Sequence, residues 1–163
     1  MNWMRREGLI VEGVEGTLEF VKQARRRSPQ SRIIHTRFEN TILPEREYDG
    51  IWCNAALIHV PPAVLREQLK KLRAALKPDG LLGLTLTWGR RKGFTQRDWI
   101  PGRYVAGYQK AEAKRLLKGW TVPEVKVLSK DGRQGRWIQI VARAPLRQTA
   151  GGTAVASPYS FRS

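Results

Sequence analysis

The chain has 163 residues, 41% of them hydrophobic, which suits one domain with a real core. Lysine and arginine outnumber aspartate and glutamate 30 to 14, a net charge of +16 that favours an anionic partner such as nucleic acid or a phosphate-bearing substrate, or else leaves a basic, solvated surface. The single cysteine, Cys53, excludes an internal disulfide framework; "MNWMRREG" lacks the apolar run of a signal peptide and "LLGLTLTW" is far too short to span a bilayer, so the expected compartment is the cytoplasm.

Residues 2–7 read as the last turn of a helix stopped by Gly8, and Leu9 to Val14 as a strand ending in an acid, Glu15. Gly16 and Thr17 make the turn, with Thr17 a plausible N-cap. In "TLEFVKQARRR", Leu18, Val21 and Ala24 fall at helical spacing; "SPQS" breaks the helix and "RIIHTRF" is the next strand. "ENTILPERE" reads as a loop or short turn of helix. "YDGIWCNAAL" is an apolar strand with no polar face, as expected where both faces of a parallel sheet are covered.

Pro61 and Pro62 open a helix whose apolar stripe is Val64, Leu65, Leu69, Leu72 and Leu76. "KPDG" is a stop and a turn, and "LLGLTLTWG" another buried strand. After a long loop, "QKAEAKRLLKG" is a helix ended by Gly119, and "EVKVLSK", "DGRQG" and "RWIQIVARA" make an antiparallel hairpin. Alternating strands and helices indicate an α/β sheet over residues 1–145, mostly parallel, with that hairpin at its C-terminal edge. Residues 146–163, rich in Gly, Ala, Ser and Thr, read as a disordered tail.

The stretch "EYDGIWCNAALIHVPPAVLREQLKKLRAALKPDGLLGLTL" resembles class I S-adenosylmethionine-dependent methyltransferases. In that family an acid precedes the fourth strand, here Asp49, and the following helix ends in a turn matched by Lys77-Pro78-Asp79-Gly80. "PGRYVAGYQKAEAKRLL" is also similar to some bacterial members, so the resemblance covers roughly residues 2–145. It implies a Rossmann-like sheet, S-adenosylmethionine as cofactor, and methyl transfer to an unidentified acceptor. The family's first strand and glycine-rich loop would precede "NWMRREG", so the reading expects an N-terminally truncated domain, its first strand missing from the centre of the sheet and its cofactor binding impaired.

The same resemblance assigns the cofactor's ribose hydroxyls to Glu15, since a carboxylate accepts two hydrogen bonds from a diol; the alternative is a solvent-facing acid at a strand end. At the position where members place an adenine-binding Asp, the sequence has Arg37, which cannot accept that bond; Glu39 substitutes if the register slips. Asn54 ends the fourth strand, where members face the methyl group and substrate. Its carbonyl oxygen orients an acceptor amine or hydroxyl, or it contacts the cofactor, or it caps the start of the next helix.

Transfer of a methyl group from a sulfonium needs alignment more than acid-base help, and no catalytic constellation stands out. His59 is a candidate base or a packed structural residue, His35 reads as structural, and Cys53 as core filler; two histidines and one cysteine at no close spacing make no metal site. In residues 88–110, Arg90, Arg91, Lys92, Arg97 and Arg103 alternate with Trp88, Phe94, Trp99, Tyr104 and Tyr108. That pattern fits a loop covering a substrate, with Arg103 and Tyr104 nearest to it, or a nucleic-acid surface in which bases stack on aromatic faces. The alternative function is therefore a non-catalytic nucleic-acid-binding or vestigial methyltransferase-fold protein. No membrane partner is expected.

Overall fold

A computed structural model describes residues 1–96, 101–129 and 136–146. The tail expected at 146–163, the turn "DGRQG", and Arg97 and Trp99 lie outside them, apart from Leu146. The chain divides into two compact units, Met1–Leu43 and Pro44–Ser163.

The first unit begins with helix α1 (Asn2–Arg6), followed by strand β1 (Glu12–Glu15), helix α2 (Leu18–Arg27) and strand β2 (Arg32–His35). β1 and β2 pair in parallel, Glu12 opposite Arg32 and Glu15 opposite His35. The strand expected from Leu9 starts later because β2 is only four residues long, and a strand needs a neighbour to bond with; Ile10 is 97% exposed. Val21 and Ile33 are buried, whereas Leu18, expected on the same stripe, is half exposed. The segment after β2 forms one 3-10 turn, Phe38–Asn40.

The second unit is built on β4 (Leu76–Trp88), which pairs in parallel with β3 (Tyr48–Cys53) along its first part. At its far end it pairs in parallel with β6 (Tyr104–Tyr108), itself in an antiparallel hairpin with β5 (Lys92–Phe94). Along its other edge β4 runs antiparallel to β8 (Arg136–Arg143), which continues to β7 (Thr121–Ser129). Three of the five pairings in this sheet are antiparallel, so it is more mixed than expected. The difference is the β5–β6 hairpin, hidden inside a stretch that reads as loop because its strands are short and rich in glycine and charge.

The core follows from the β4–β8 register. Leu82 faces Ala142, Leu84 faces Ile140 and Leu86 faces Ile138, and all six side chains are fully buried. Helix α3 (Pro62–Ala75) packs on β4 through the expected Leu65, Leu69 and Leu72, with proline in its first turn where no N–H is missed. Leu76 is buried as the first residue of β4 rather than as part of the helix. Lys77–Gly80 does not interrupt β4 but kinks it: Asp79 takes a left-handed φ of 64°, and the β3 register shifts between Tyr48 and Gly50.

β3 is not covered on both faces as expected; Trp52 is half exposed and its ring lies over Gly83, which leaves no room for a Cβ there. Helix α4 (Lys110–Leu116) ends just before Gly119, whose φ of 85° suits glycine.

Candidate functional site

In the first unit Glu15 is the last residue of β1, and its position is fixed by the neighbouring strand: Thr36 N–H donates to the Glu15 carbonyl at 3.1 Å. The half-buried carboxylate turns to the start of α2, where Oε1 accepts the Thr17 N–H at 2.7 Å. Thr17 does not cap α2 with its hydroxyl; the acid two residues earlier accepts the Thr17 backbone N–H and places a negative charge at the positive end of the helix. Glu15 Oε2 has no bonded partner among the described residues and is open to a hydroxyl. Glu15 also lines a hollow of 530 Å³ with Trp3, Val14, Phe20 and Ile33.

Arg37 and Glu39 are both exposed; Arg37 lies two residues past the end of β2, just before the 3-10 turn, and Glu39 lies within that turn. His35 ends β2, exposed, with Nε2 3.3 Å from the Gly16 carbonyl, so its place is a strand end and not mid-strand.

In the second unit the end of β3 is held by a residue that sequence reasoning did not single out. The register puts Cys53 opposite Leu84, which brings the following pair, Asn54 and Thr85, side by side. Thr85 is 8% exposed; its hydroxyl donates to Asn54 Oδ1 at 3.0 Å and accepts the Ala55 N–H at 2.6 Å. Both capacities of one hydroxyl are used, and Ala55 is held at φ 53°, a conformation a non-glycine residue adopts at a cost. The Asn54 carbonyl oxygen, expected to face an acceptor, instead accepts from Thr85, which leaves the amide N–H groups of this exposed residue as its donors. Asn54 does not cap α3, whose N-cap is Pro61. The signal in the sequence was Thr85, a polar residue flanked by Leu84 and Leu86 within β4.

His59 sits in the turn that follows. Its Nδ1 is 2.9 Å from the Tyr104 carbonyl; a carbonyl only accepts, so Nδ1 is the donor of this bond. The Ala106 N–H donates to the Ile58 carbonyl at 3.1 Å, so β6 is fastened to this turn at two points. The structure thus joins His59 to Tyr104 through the tyrosine backbone, while the ring of Tyr104 meets Phe94 edge-on at 5.4 Å. The Arg103 side chain is exposed, next to this contact.

The hairpin is locked to the sheet by close backbone approach: a Cβ on Gly107 would lie 2.9 Å from the Gly89 carbonyl carbon. Lys92 bonds Glu112 at 3.0 Å and stands 5.0 Å above the Tyr108 ring. Glu112 closes a capping box with Gln109, and the Gln109 backbone N–H, then Lys92, hold its carboxyl below the usual range. Burial pushes the Tyr108 hydroxyl up to about 12, helped by Tyr104 and Glu112, and burial alone pushes the Cys53 thiol up to about 11. Cys53 is therefore a packed thiol with no thiolate at neutral pH, as expected.

A family model described as a methyltransferase domain matches residues 1–80. No curated protein matches the chain in sequence. Among solved structures it is similar to an S-adenosylmethionine-dependent methyltransferase of Methanosarcina mazei, with a TM-score of 0.73 and 14% identity over 90% of this chain and 87% of that one. It is also similar to the 1,6-didemethyltoxoflavin-N1-methyltransferase of Burkholderia thailandensis, solved with 1,6-didemethyltoxoflavin and S-adenosylhomocysteine bound (TM-score 0.72, 19% identity, 88% of this chain and 65% of that one).

A third similar structure is an S-adenosylmethionine-dependent methyltransferase of Mesorhizobium loti (TM-score 0.70, 15% identity, 87% and 84%). The chain spans just under two thirds of the Burkholderia enzyme. At these identities the likeness is one of fold. Together with the family match, it bears out the resemblance read from the sequence: the chain has the Rossmann-like fold of class I methyltransferases.

Proposed function

From a class I methyltransferase fold as the premise, we propose that this chain binds S-adenosylmethionine and directs its methyl group to an acceptor. The observation that carries the reading is the turn after β3. Thr85 fixes Asn54 and Ala55 at the carboxyl end of a parallel strand, the place where open α/β sheets bind their ligands. Each unit by itself offers suitable chemistry: in the first, Glu15 keeps one carboxylate oxygen for a hydroxyl beside the start of α2, and in the second, Asn54 keeps its amide donors. When bound, the cofactor supplies a methyl group already activated by a sulfonium, so the protein's task is alignment.

In the first unit Glu15 accepts the ribose hydroxyls, with Glu39 a further acceptor for the adenine end. In the second, Asn54 orients a lone pair of the cofactor or acceptor, His59 Nε2 is available to take a proton from an amine or hydroxyl, and Arg103 and Tyr104 flank the acceptor. A cytoplasmic enzyme with an anionic acceptor is part of the same reading. Among the described residues no helix is long and apolar enough to cross a membrane.

Isothermal titration of the purified chain with S-adenosylhomocysteine tests this. Saturable, salt-insensitive binding that is lost in Glu15→Gln supports it; Gln still offers an oxygen to Thr17 N–H, so the start of α2 keeps its acceptor. A folded chain that gives no heat with S-adenosylhomocysteine refutes it.

A further inference from the structure

The second unit carries a basic surface at the opposite end of β4, roughly 25 Å along the strand from Thr85. There the last turn of α3, the start of β4 and the chain after β8 enclose an open hollow of 280 Å³. Arg46, Lys70, Arg73 and Lys77 line it, against one acid, Glu45.

These cations are not needed to finish the helix. The Arg46 and Glu47 N–H groups already reach the Ala74 and Ala75 carbonyls, at 2.9 and 3.0 Å, with Arg46 held at φ 54° to do so. Lys70 and Lys77 rest on Glu67 and Asp49, but those pairs are exposed and exchange readily with another anion. Arg73 reaches the Gly119 carbonyl only at 3.4 Å, and the Arg46 side chain has no bonded partner among the described residues.

The hollow is also the end of a row. Arg66, Lys70 and Arg73 stand exposed on α3 at spacings of four and three residues, which places them on one face about 5–6 Å apart. A row of evenly spaced cations ending in a four-cation hollow matches a chain of phosphates better than a single anion. The large exposed apolar side chains described in this unit (Trp52, Phe94, Val127, Leu128 and Leu146, with the first two on β3 and β5) are neither on α3 nor in the lining, so the surface lacks the apolar face a bilayer interface requires.

Within residues 88–110 some of the named side chains are engaged by neighbours, while Arg90, Arg91, Phe94 and Arg103 are exposed. Tyr108 is buried, Tyr104 is packed by Phe94, and Lys92 is held by Glu112. We infer that the α3 row and its hollow are a docking surface for the phosphate backbone of a nucleic-acid strand, independent of what the Asn54 end binds.

The test is fluorescence anisotropy of a labelled oligouridylate of about 20 nucleotides with the full chain, titrated between about 50 and 200 mM salt. Neutralising Lys70→Gln and Arg73→Gln together is expected to weaken binding about tenfold at the lower salt and to reduce the log–log salt slope by ~1.4, since each single-strand phosphate contributes ~0.7. Arg46→Gln alone, which removes no described side-chain bond, is expected to reduce the slope by ~0.7.

The control is Lys22→Gln with Arg26→Gln on α2, an equal loss of charge from exposed positions in the other unit, and it is expected to leave the slope unchanged. Equal losses in the two double variants overturn the inference. So does a wild-type chain that does not bind the oligonucleotide, one that binds vesicles containing phosphatidylserine more tightly, or one from which polyglutamate displaces the oligonucleotide as well as unlabelled oligonucleotide does.

Discussion

Replacing Thr85 with valine removes one hydroxyl of nearly constant volume and, with it, both bonds that fix the end of β3. Each such bond contributes about 0.5–1.5 kcal/mol net, so the pair is worth about 1–3 kcal/mol. The upper half of that range applies, because the Ala55 N–H is half-buried and loses its acceptor while the left-handed Ala55 conformation it secures costs roughly 1–2 kcal/mol by itself. With a urea m-value of about 2 kcal/mol/M, Thr85→Val should move the unfolding midpoint down by about 1 M.

The functional readout is separate. Asn54 loses the donor that orients its amide, and affinity for S-adenosylhomocysteine should fall by roughly tenfold, equivalent to about 1.4 kcal/mol. Thr85→Ser keeps the hydroxyl and should recover most of both. If valine leaves the midpoint and the affinity unchanged, or if serine loses as much as valine, the reasoning that one hydroxyl organises this turn is refuted.

Glu15→Ala should shorten or fray α2 and cost about 1 kcal/mol, as loss of an N-terminal acceptor does, whereas Glu15→Gln should be near neutral in stability; chemical denaturation followed by circular dichroism separates them. Leu84→Ala removes a fully buried side chain facing Ile140 and should cost about 2–5 kcal/mol, read as a lower urea midpoint. Glu112 is more acidic in the folded chain than its ordinary value of 4.5, so it adds stability above that value and the contribution disappears as pH falls below it. Glu112→Gln should therefore flatten the acid side of the stability profile, and a profile as steep as the wild type's would count against the Gln109 and Lys92 bonds. Cys53, with its thiol raised to about 11, should resist thiol reagents near neutral pH and react only on unfolding.

Local pattern determined much of this protein. The two prolines and the Leu65, Leu69, Leu72 stripe define α3; Gly119 makes the turn that follows α4; and Glu15 ends an early strand. Each of these rests on neighbours within a few residues, where helical or strand spacing and turn chemistry are decided. What tertiary structure decided is non-local. The turn "KPDG" becomes a kink within β4 because β3 pairs on either side of it, and the charged stretch after Trp88 becomes a hairpin because β6 finds the end of β4.

Thr85 gained its role from a register: opposing Cys53 to Leu84 carries Asn54 to a hydroxyl more than thirty residues away. The basic hollow likewise gathers Arg46, Lys70, Arg73 and Lys77 from a loop, a helix and a strand. Spacing along a chain reports which face a residue occupies, but the partner across that face depends on how strands pair, and pairing is fixed only when the whole sheet assembles.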